Sequence, residues 1–127
     1  MTNSKTDQSH HISDNISDHK AETANLRLIA WEITRNCNLS CVHCRASATM
    51  GPYVNELDTK SCFQLLDEIA GVGSPIIILT GGEPLLRPDI FEITRYGTGK
   101  GLKMVMAPNG TLITKRAAEQ MADAGIK

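Results

Sequence analysis

The sequence predicts an α/β fold made of three strand–helix units with parallel strands, and two observations carry this prediction. Apolar segments of strand length alternate along the chain with segments whose apolar residues recur at helical spacing, an order that favours right-handed crossovers and a parallel sheet. Residues 75–80 also form a continuous run of mainly branched apolar side chains, as is typical of a strand covered on both faces.

The first unit joins a strand to a helix through a long loop. The strand is predicted over residues 26–33, and residues 34–57 show no periodicity, which is typical of a functional loop. Asp58 is the expected N-cap of the helix, which is predicted to end at Gly71 or Gly73. The apolar face of this helix consists of residues at i, i+3, i+4 and i+7, namely Cys62, Leu65, Leu66 and Ile69.

The second unit begins with the strand over residues 75–80. We expect Pro88 to open the helix that follows, because proline suits the first helical position. The glycines at its far end, Gly97, Gly99 and Gly101, are expected to terminate it.

The third unit repeats the order with a strand over residues 102–106 and a turn at Asn109-Gly110. Its helix is predicted to start after Thr114 as N-cap and to end at Gly125. Three such units make about half of a barrel-like or doubly wound sheet. We therefore expect the 127 residues to be the N-terminal part of a longer protein.

Composition limits the class of protein. The chain has 13 Lys+Arg and 14 Asp+Glu, which argues against a protein that binds nucleic acid or a membrane surface through a basic face. Residues 1–25 are polar and are predicted to be a disordered tail, which leaves residues 26–127 for the folded domain. No apolar run approaches the roughly 20 residues of a membrane helix and no secretory signal is present, so we expect a cytoplasmic protein with reduced thiols.

Cys37, Cys41 and Cys44 form a C-x3-C-x2-C pattern directly after the first predicted strand. Three thiols so close together in a reduced compartment indicate a metal or cluster site. A structural zinc ion would need four ligands, with His43 as the nearby fourth candidate. The thiolates favour an iron–sulfur cluster instead, and three of them on a four-iron cluster would leave one iron open for chemistry. Cys62 is expected to be a core residue.

Gly81, Gly82 and Glu83 follow the second predicted strand and precede Pro84. Because ligands of parallel sheets bind outside the carboxyl ends of the strands, this turn and the loop with the cysteines are expected to face one pocket. The glycines would allow a ligand to approach the backbone, and Glu83 would accept hydrogen bonds from an ammonium group. Asn109 follows the third strand and would either contact the same pocket or serve only as a turn residue.

Together these motifs resemble those of the radical S-adenosylmethionine (radical SAM) superfamily. Cys37, Cys41 and Cys44 match its cysteine signature, and Gly81 to Glu83 match its Gly-Gly-Glu motif. The resemblance implies the N-terminal half of a partial TIM-like barrel. It also implies a four-iron, four-sulfur (4Fe-4S) cluster whose free iron chelates S-adenosylmethionine (SAM), with Glu83 and its turn helping to bind the ammonium. The implied chemistry is reductive cleavage of SAM to a 5'-deoxyadenosyl radical.

The segments that flank the motifs are similar to the branch of the superfamily with an additional C-terminal, SPASM-type iron–sulfur domain, and within it to members that form heme b. These segments are residues 31–39, 44–46, 80–89 and 106–114. This similarity implies oxidative decarboxylation of two propionates of iron-coproporphyrin III to vinyl groups, with an electron donor such as flavodoxin or ferredoxin. Related members act on other tetrapyrroles or on peptides. A zinc-binding structural module and a simple electron carrier are the alternatives from other classes.

Two arginines lie near these motifs. Arg45 and Arg87 would meet carboxylates of SAM or of a porphyrin, or be solvated, and the sequence favours solvation. No residue is predicted to be catalytic. The 127-residue piece alone is expected to have little or no turnover.

Overall fold

The structure, a computed structural model, describes residues 25–127. Within this range three strands alternate with three α-helices, as the sequence predicts. In chain order the elements are β1 (Leu28–Thr34), α1 (Thr59–Val72), β2 (Ile76–Gly81), a short 3-10 helix (Pro84–Leu86), α2 (Ile90–Gly99), β3 (Lys103–Met106) and α3 (Lys115–Ala124). The predicted tail lies outside the described residues, except for Asn25.

The sheet is parallel, with the strands in the order β1-β2-β3. Leu28 of β1 lies opposite Ile76 of β2, which in turn lies opposite Lys103 of β3. Since the strands run in chain order and in one direction, all three carboxyl ends lie at one edge of the sheet. The parallel α/β fold predicted from the sequence is thereby confirmed.

The core lies between the sheet and the helices. On β2, Ile77 and Leu79 are fully buried, whereas Ile76 and Ile78 on the other face are half-buried. Met104 and Met106 of β3 are buried too, as expected for side chains that alternate along a strand into the core. Among residues 25–127, no helix has the length and apolar character needed to cross a membrane.

The predicted caps of α1 and α3 are confirmed. The Asp58 side chain accepts a hydrogen bond from the Ser61 amide at 2.7 Å, and Thr114 caps α3 in the same way through the Ala117 amide at 3.1 Å. Gly125 ends α3 in the left-handed conformation, which glycine adopts without steric cost.

Two predictions about α2 are wrong. Pro88 does not open the helix, which begins at Ile90. A residue that precedes proline avoids the helical conformation, and Arg87 is extended accordingly (φ −81°, ψ 119°). Gly97 lies inside the helix, whereas Gly99 ends it as predicted. A Cβ at Gly97 would lie 2.5 Å from the Sδ atom of Met104, so the position requires a glycine. This glycine lets β3 pack closely against α2.

Candidate cluster and cofactor site

The predicted site residues lie on three loops at the carboxyl edge of the sheet. These are the cysteine loop (residues 35–57) after β1, the glycine turn (residues 81–83) after β2, and the Asn109 loop (residues 107–114) after β3. Two backbone hydrogen bonds join the glycine turn to the end of β1 and to the start of the cysteine loop. The Gly82 amide donates to the Thr34 carbonyl and the Glu83 amide to the Asn36 carbonyl, both at 2.8 Å.

The three thiols of the cysteine loop are free, with Cys41 exposed and Cys37 and Cys44 half-buried. The loop turns at Cys41, whose carbonyl accepts the Cys44 amide at 3.2 Å. The Ala48 amide points at the Cys44 sulfur, with an N–S distance of 3.4 Å. Amide donors of this kind stabilise negative charge on sulfur, which is the form in which a cysteine ligates iron.

This donor set suits an iron–sulfur cluster in its chemistry. Three free thiols on one loop, with an amide directed at one sulfur, are soft ligands of the kind that such clusters select. No group of three or more His, Cys, Asp or Glu side chains within residues 25–127 is already gathered to hold a metal ion.

Glu83, the last residue of the glycine turn, is buried rather than exposed to solvent. The side chain has 0 % of its surface exposed. One carboxylate oxygen accepts the Leu85 amide at 3.0 Å, and the other accepts the Asn109 amide at 2.6 Å. The carboxylate thus joins the glycine turn to the Asn109 loop. Its contact with an ammonium group stays a prediction.

The two glycines of the turn are required by the protein's own backbone. A Cβ at Gly81 would lie 2.2 Å from the Thr34 carbonyl oxygen, and a Cβ at Gly82 would lie 2.2 Å from that of Asn36. Gly81 also has a φ of +125°, which side-chain-bearing residues rarely adopt. The glycines therefore allow the turn to lie directly against the start of the cysteine loop.

Replacing Gly82 by alanine is expected to destabilise the protein by about 3 kcal/mol, because the new methyl group meets a backbone oxygen that cannot move aside. Chemical denaturation of the apo-protein measures this loss. The matched control is Gly71→Ala, since Gly71 lies within α1 and a Cβ there has nothing within 4 Å. That change is expected to be neutral or to stabilise by up to about 1 kcal/mol. Equal stabilities of the two variants would contradict the prediction.

Asn109 forms the predicted turn and also contacts the cysteine loop. Its side-chain oxygen accepts the Thr111 amide at 2.9 Å, and Gly110 is left-handed at φ +89°, so the Asn-Gly turn is confirmed. Its side-chain amide also donates to Asn38 of the cysteine loop at 2.9 Å. A contact between Asn109 and a cofactor stays a prediction.

Arg87 is buried, so the predicted solvation of this side chain is wrong. Its guanidinium donates to the carbonyl of Ile33 in β1 at 3.0 Å and to that of Leu57, at the end of the cysteine loop, at 2.6 Å. It also pairs with Asp89, at 2.6 Å from Nε. Burial alone would raise the pKa of Asp89, but hydrogen bonds from Arg87 and Thr59 hold it below its usual value. Arg45, in contrast, is exposed as predicted.

Cys62 belongs to the core, as predicted. It is fully buried in α1, and burial raises the pKa of its thiol. Its sulfur lies 3.5 Å from an Arg87 nitrogen and 3.8 Å from the Leu57 carbonyl. These contacts make it part of the structure that holds the exit of the cysteine loop.

The fold and the site define a class: a parallel α/β domain with a three-cysteine loop and a glycine turn joined at the carboxyl edge of its sheet. The sequence profile described as the Radical SAM superfamily matches residues 31–127. The chain belongs to this superfamily. Membership implies a 4Fe-4S cluster and SAM as cofactors.

Curated relatives show which kinds of radical SAM protein this chain is similar to. The chain is 54% identical over 101 residues to the AdoMet-dependent heme synthase of Methanosarcina barkeri, covering 80% of this chain and 29% of the relative. It is 41% identical over 99 residues to the Fe-coproporphyrin III synthase of the same organism, covering 78% of this chain and 25% of the relative. The chain thus spans between a quarter and a third of the length of these relatives.

A solved structure shows the same fold. The crystal structure of BtrN in complex with AdoMet and 2-DOIA superposes with a TM-score of 0.69 at 21% identity. The match covers 80% of this chain and 43% of that protein.

Proposed function

We propose that the whole protein is a radical SAM enzyme that forms heme b by oxidative decarboxylation of two propionates of iron-coproporphyrin III. The observation that carries the radical SAM assignment is the direct backbone contact of the glycine turn with the end of β1 and the start of the cysteine loop, at 2.8 Å for each hydrogen bond. The substrate assignment is supported by the 54% identity to a relative named AdoMet-dependent heme synthase.

In this proposal, Cys37, Cys41 and Cys44 hold the cluster. When bound, the cluster supplies the electron for the reductive cleavage of SAM. The backbone of Gly81 and Gly82 offers polar groups to the methionine part of SAM. Glu83 would help to bind the ammonium group of SAM, as the sequence predicts, and its carboxylate also fixes the turn by accepting the Leu85 and Asn109 amides.

The partners and the location of the protein belong to the same proposal. A low-potential donor such as flavodoxin or ferredoxin would supply the electron, and the substrate would be a tetrapyrrole. A C-terminal SPASM-type iron–sulfur domain would follow the described residues. Thiolate ligands of a cluster must stay reduced, which supports a cytoplasmic location.

Product analysis tests the proposed substrate. The full-length protein, anaerobically reconstituted and supplied with SAM, reductant and an electron acceptor, is expected to convert iron-coproporphyrin III to heme b. For each propionate, the 5'-deoxyadenosyl radical takes one hydrogen atom, carbon dioxide leaves and one electron passes to the acceptor, which leaves a vinyl group. Mass spectrometry is expected to show two such conversions. The matched control is the same reaction without SAM.

A second substrate distinguishes the alternative within the superfamily. We choose didecarboxysiroheme as the second substrate, because the chain is 41% identical to a relative named Fe-coproporphyrin III synthase. Turnover of didecarboxysiroheme with none of iron-coproporphyrin III would contradict the proposed substrate and leave the radical chemistry intact.

A further inference from the structure

A small polar network connects the cysteine loop to the Asn109 loop across a long sequence separation. Asn38, which lies between the first two cysteines, donates from Nδ2 to the Thr111 hydroxyl at 2.9 Å. The Asn38 Oδ1 atom accepts from Asn109 at 2.9 Å, and the Thr111 hydroxyl donates to the Asn109 Oδ1 atom at 2.7 Å. The three side chains therefore form a closed ring of hydrogen bonds.

One backbone group determines the order of donors around this ring. The Thr111 amide donates to the Asn109 side chain at 2.9 Å, so the atom facing it must be the oxygen. The Asn109 nitrogen then faces Asn38, which must present its own oxygen. Asn38 is left with its nitrogen for the Thr111 hydroxyl. The ring is thus satisfied in a single arrangement, which gives it directional specificity.

The ring completes a longer circuit through all three loops. The cysteine loop accepts the Glu83 amide at Asn36, and the Glu83 carboxylate accepts the Asn109 amide at 2.6 Å. Asn109 returns to the cysteine loop at Asn38. The segment that begins at Cys37 is therefore held on two sides, by the glycine turn and by the Asn109 loop.

The ring of hydrogen bonds is expected to affect the position of the loops more than the stability of the fold. Asn109 and Thr111 are exposed and Asn38 is half-buried, so water would satisfy their polar groups if the ring opened. Hydrogen bonds of this kind contribute little net stability. Because the bonds of the ring are directional, they instead restrict the position of the two loops relative to each other.

We propose that Asn38 and Thr111 are positioning residues that hold the first half of the cysteine loop in register with the glycine turn, so that cluster and SAM meet in one geometry. This inference rests on the proposed function. It adds to the cysteine and Gly-Gly-Glu motifs a pair of side chains that acts through the position of the loop.

Two variants of the full-length reconstituted protein test it. Asn38→Ala removes one side of the ring, and Thr111→Val removes the hydroxyl from outside the cysteine loop while keeping the shape of the side chain. Each is expected to retain iron and melting temperature, to weaken SAM binding about tenfold and to alter the electron paramagnetic resonance spectrum of the SAM-bound cluster. The double variant is expected to lose no more than either single variant, because both changes open the same ring.

The controls separate this inference from the proposed function. Thr111→Ser keeps the hydroxyl and is expected to restore wild-type SAM binding, and Ser40→Ala alters an exposed residue of the same loop without touching the ring. Unchanged SAM affinity and spectra in both test variants, or additive losses in the double variant, would overturn the inference. Should Asn38→Ala lose its iron, Thr111→Val decides by the same readouts. A wild-type protein without a SAM-responsive cluster would instead refute the proposed function.

Discussion

Replacing any one of Cys37, Cys41 and Cys44 by alanine is expected to abolish cluster binding and all SAM cleavage. A cluster held by three protein thiolates has no spare ligand, and no other cysteine lies on this loop. Iron analysis after anaerobic reconstitution of the full-length protein is expected to fall from about four iron atoms at this site to background. Any further cluster elsewhere in the whole protein would be counted separately, by difference from the wild type.

Cys62 supplies the matched control for these three variants. It is the fourth cysteine of the chain but is fully buried in α1. Cys62→Ala is expected to retain the iron and the SAM response and to cost about 1 kcal/mol of stability through the small cavity that it leaves. Loss of iron in Cys62→Ala, with retention in Cys41→Ala, would contradict the assignment of the ligands.

Arg87→Met is expected to destabilise the protein by about 3–5 kcal/mol, because it leaves a charged partner and two carbonyls without their donor. The side chain is 7% exposed and contacts Asp89, Ile33 and Leu57. Chemical denaturation of the apo-protein, followed by circular dichroism, measures the change. Arg45→Met is the control, since Arg45 is exposed and its replacement is expected to stay within about 0.5 kcal/mol.

Acid provides a second measurement on the same ion pair. The pKa of Asp89 is lowered in the folded protein, so the stability that its carboxylate contributes is fully present above the usual pKa of 3.8 and is lost as the pH falls through the lowered pKa. Arg87→Met removes the main partner of the carboxylate and is expected to flatten this part of the pH profile. A loss of less than about 1 kcal/mol in Arg87→Met, with an unchanged acid profile, would show that the pair does not hold the loop.

Local signals in the sequence were sufficient for most of the fold. The periodic face of α1, its cap Asp58 and the apolar run of β2 each depend on residues a few positions apart, and the structure confirms all three. The joining of the cysteine loop to the glycine turn followed from topology, because parallel strands bring their carboxyl ends to one edge.

These local signals could not predict contacts between residues that lie far apart in the sequence. Arg87 is buried because carbonyls 54 and 30 positions away turn toward it, and nothing in its immediate sequence indicates this. The local sequence around Gly97 is typical of a helix end. Only the packing of Met104 against it shows why a glycine lies inside the helix. The Asn38–Thr111 bond spans 73 residues and joins a residue between two cysteines to one beyond the Asn-Gly turn. The Asn-Gly signal indicated the turn but not its partner.

We infer that the cysteine loop and the glycine turn form one site for a 4Fe-4S cluster and SAM. Anaerobic reconstitution of the full-length protein tests this inference, with iron and sulfide analysis and electron paramagnetic resonance before and after addition of SAM. We expect about four iron and four sulfide at the Cys37–Cys44 site, with a spectrum that changes when SAM is added. One zinc ion at that site, or a cluster whose spectrum is indifferent to SAM, would contradict it.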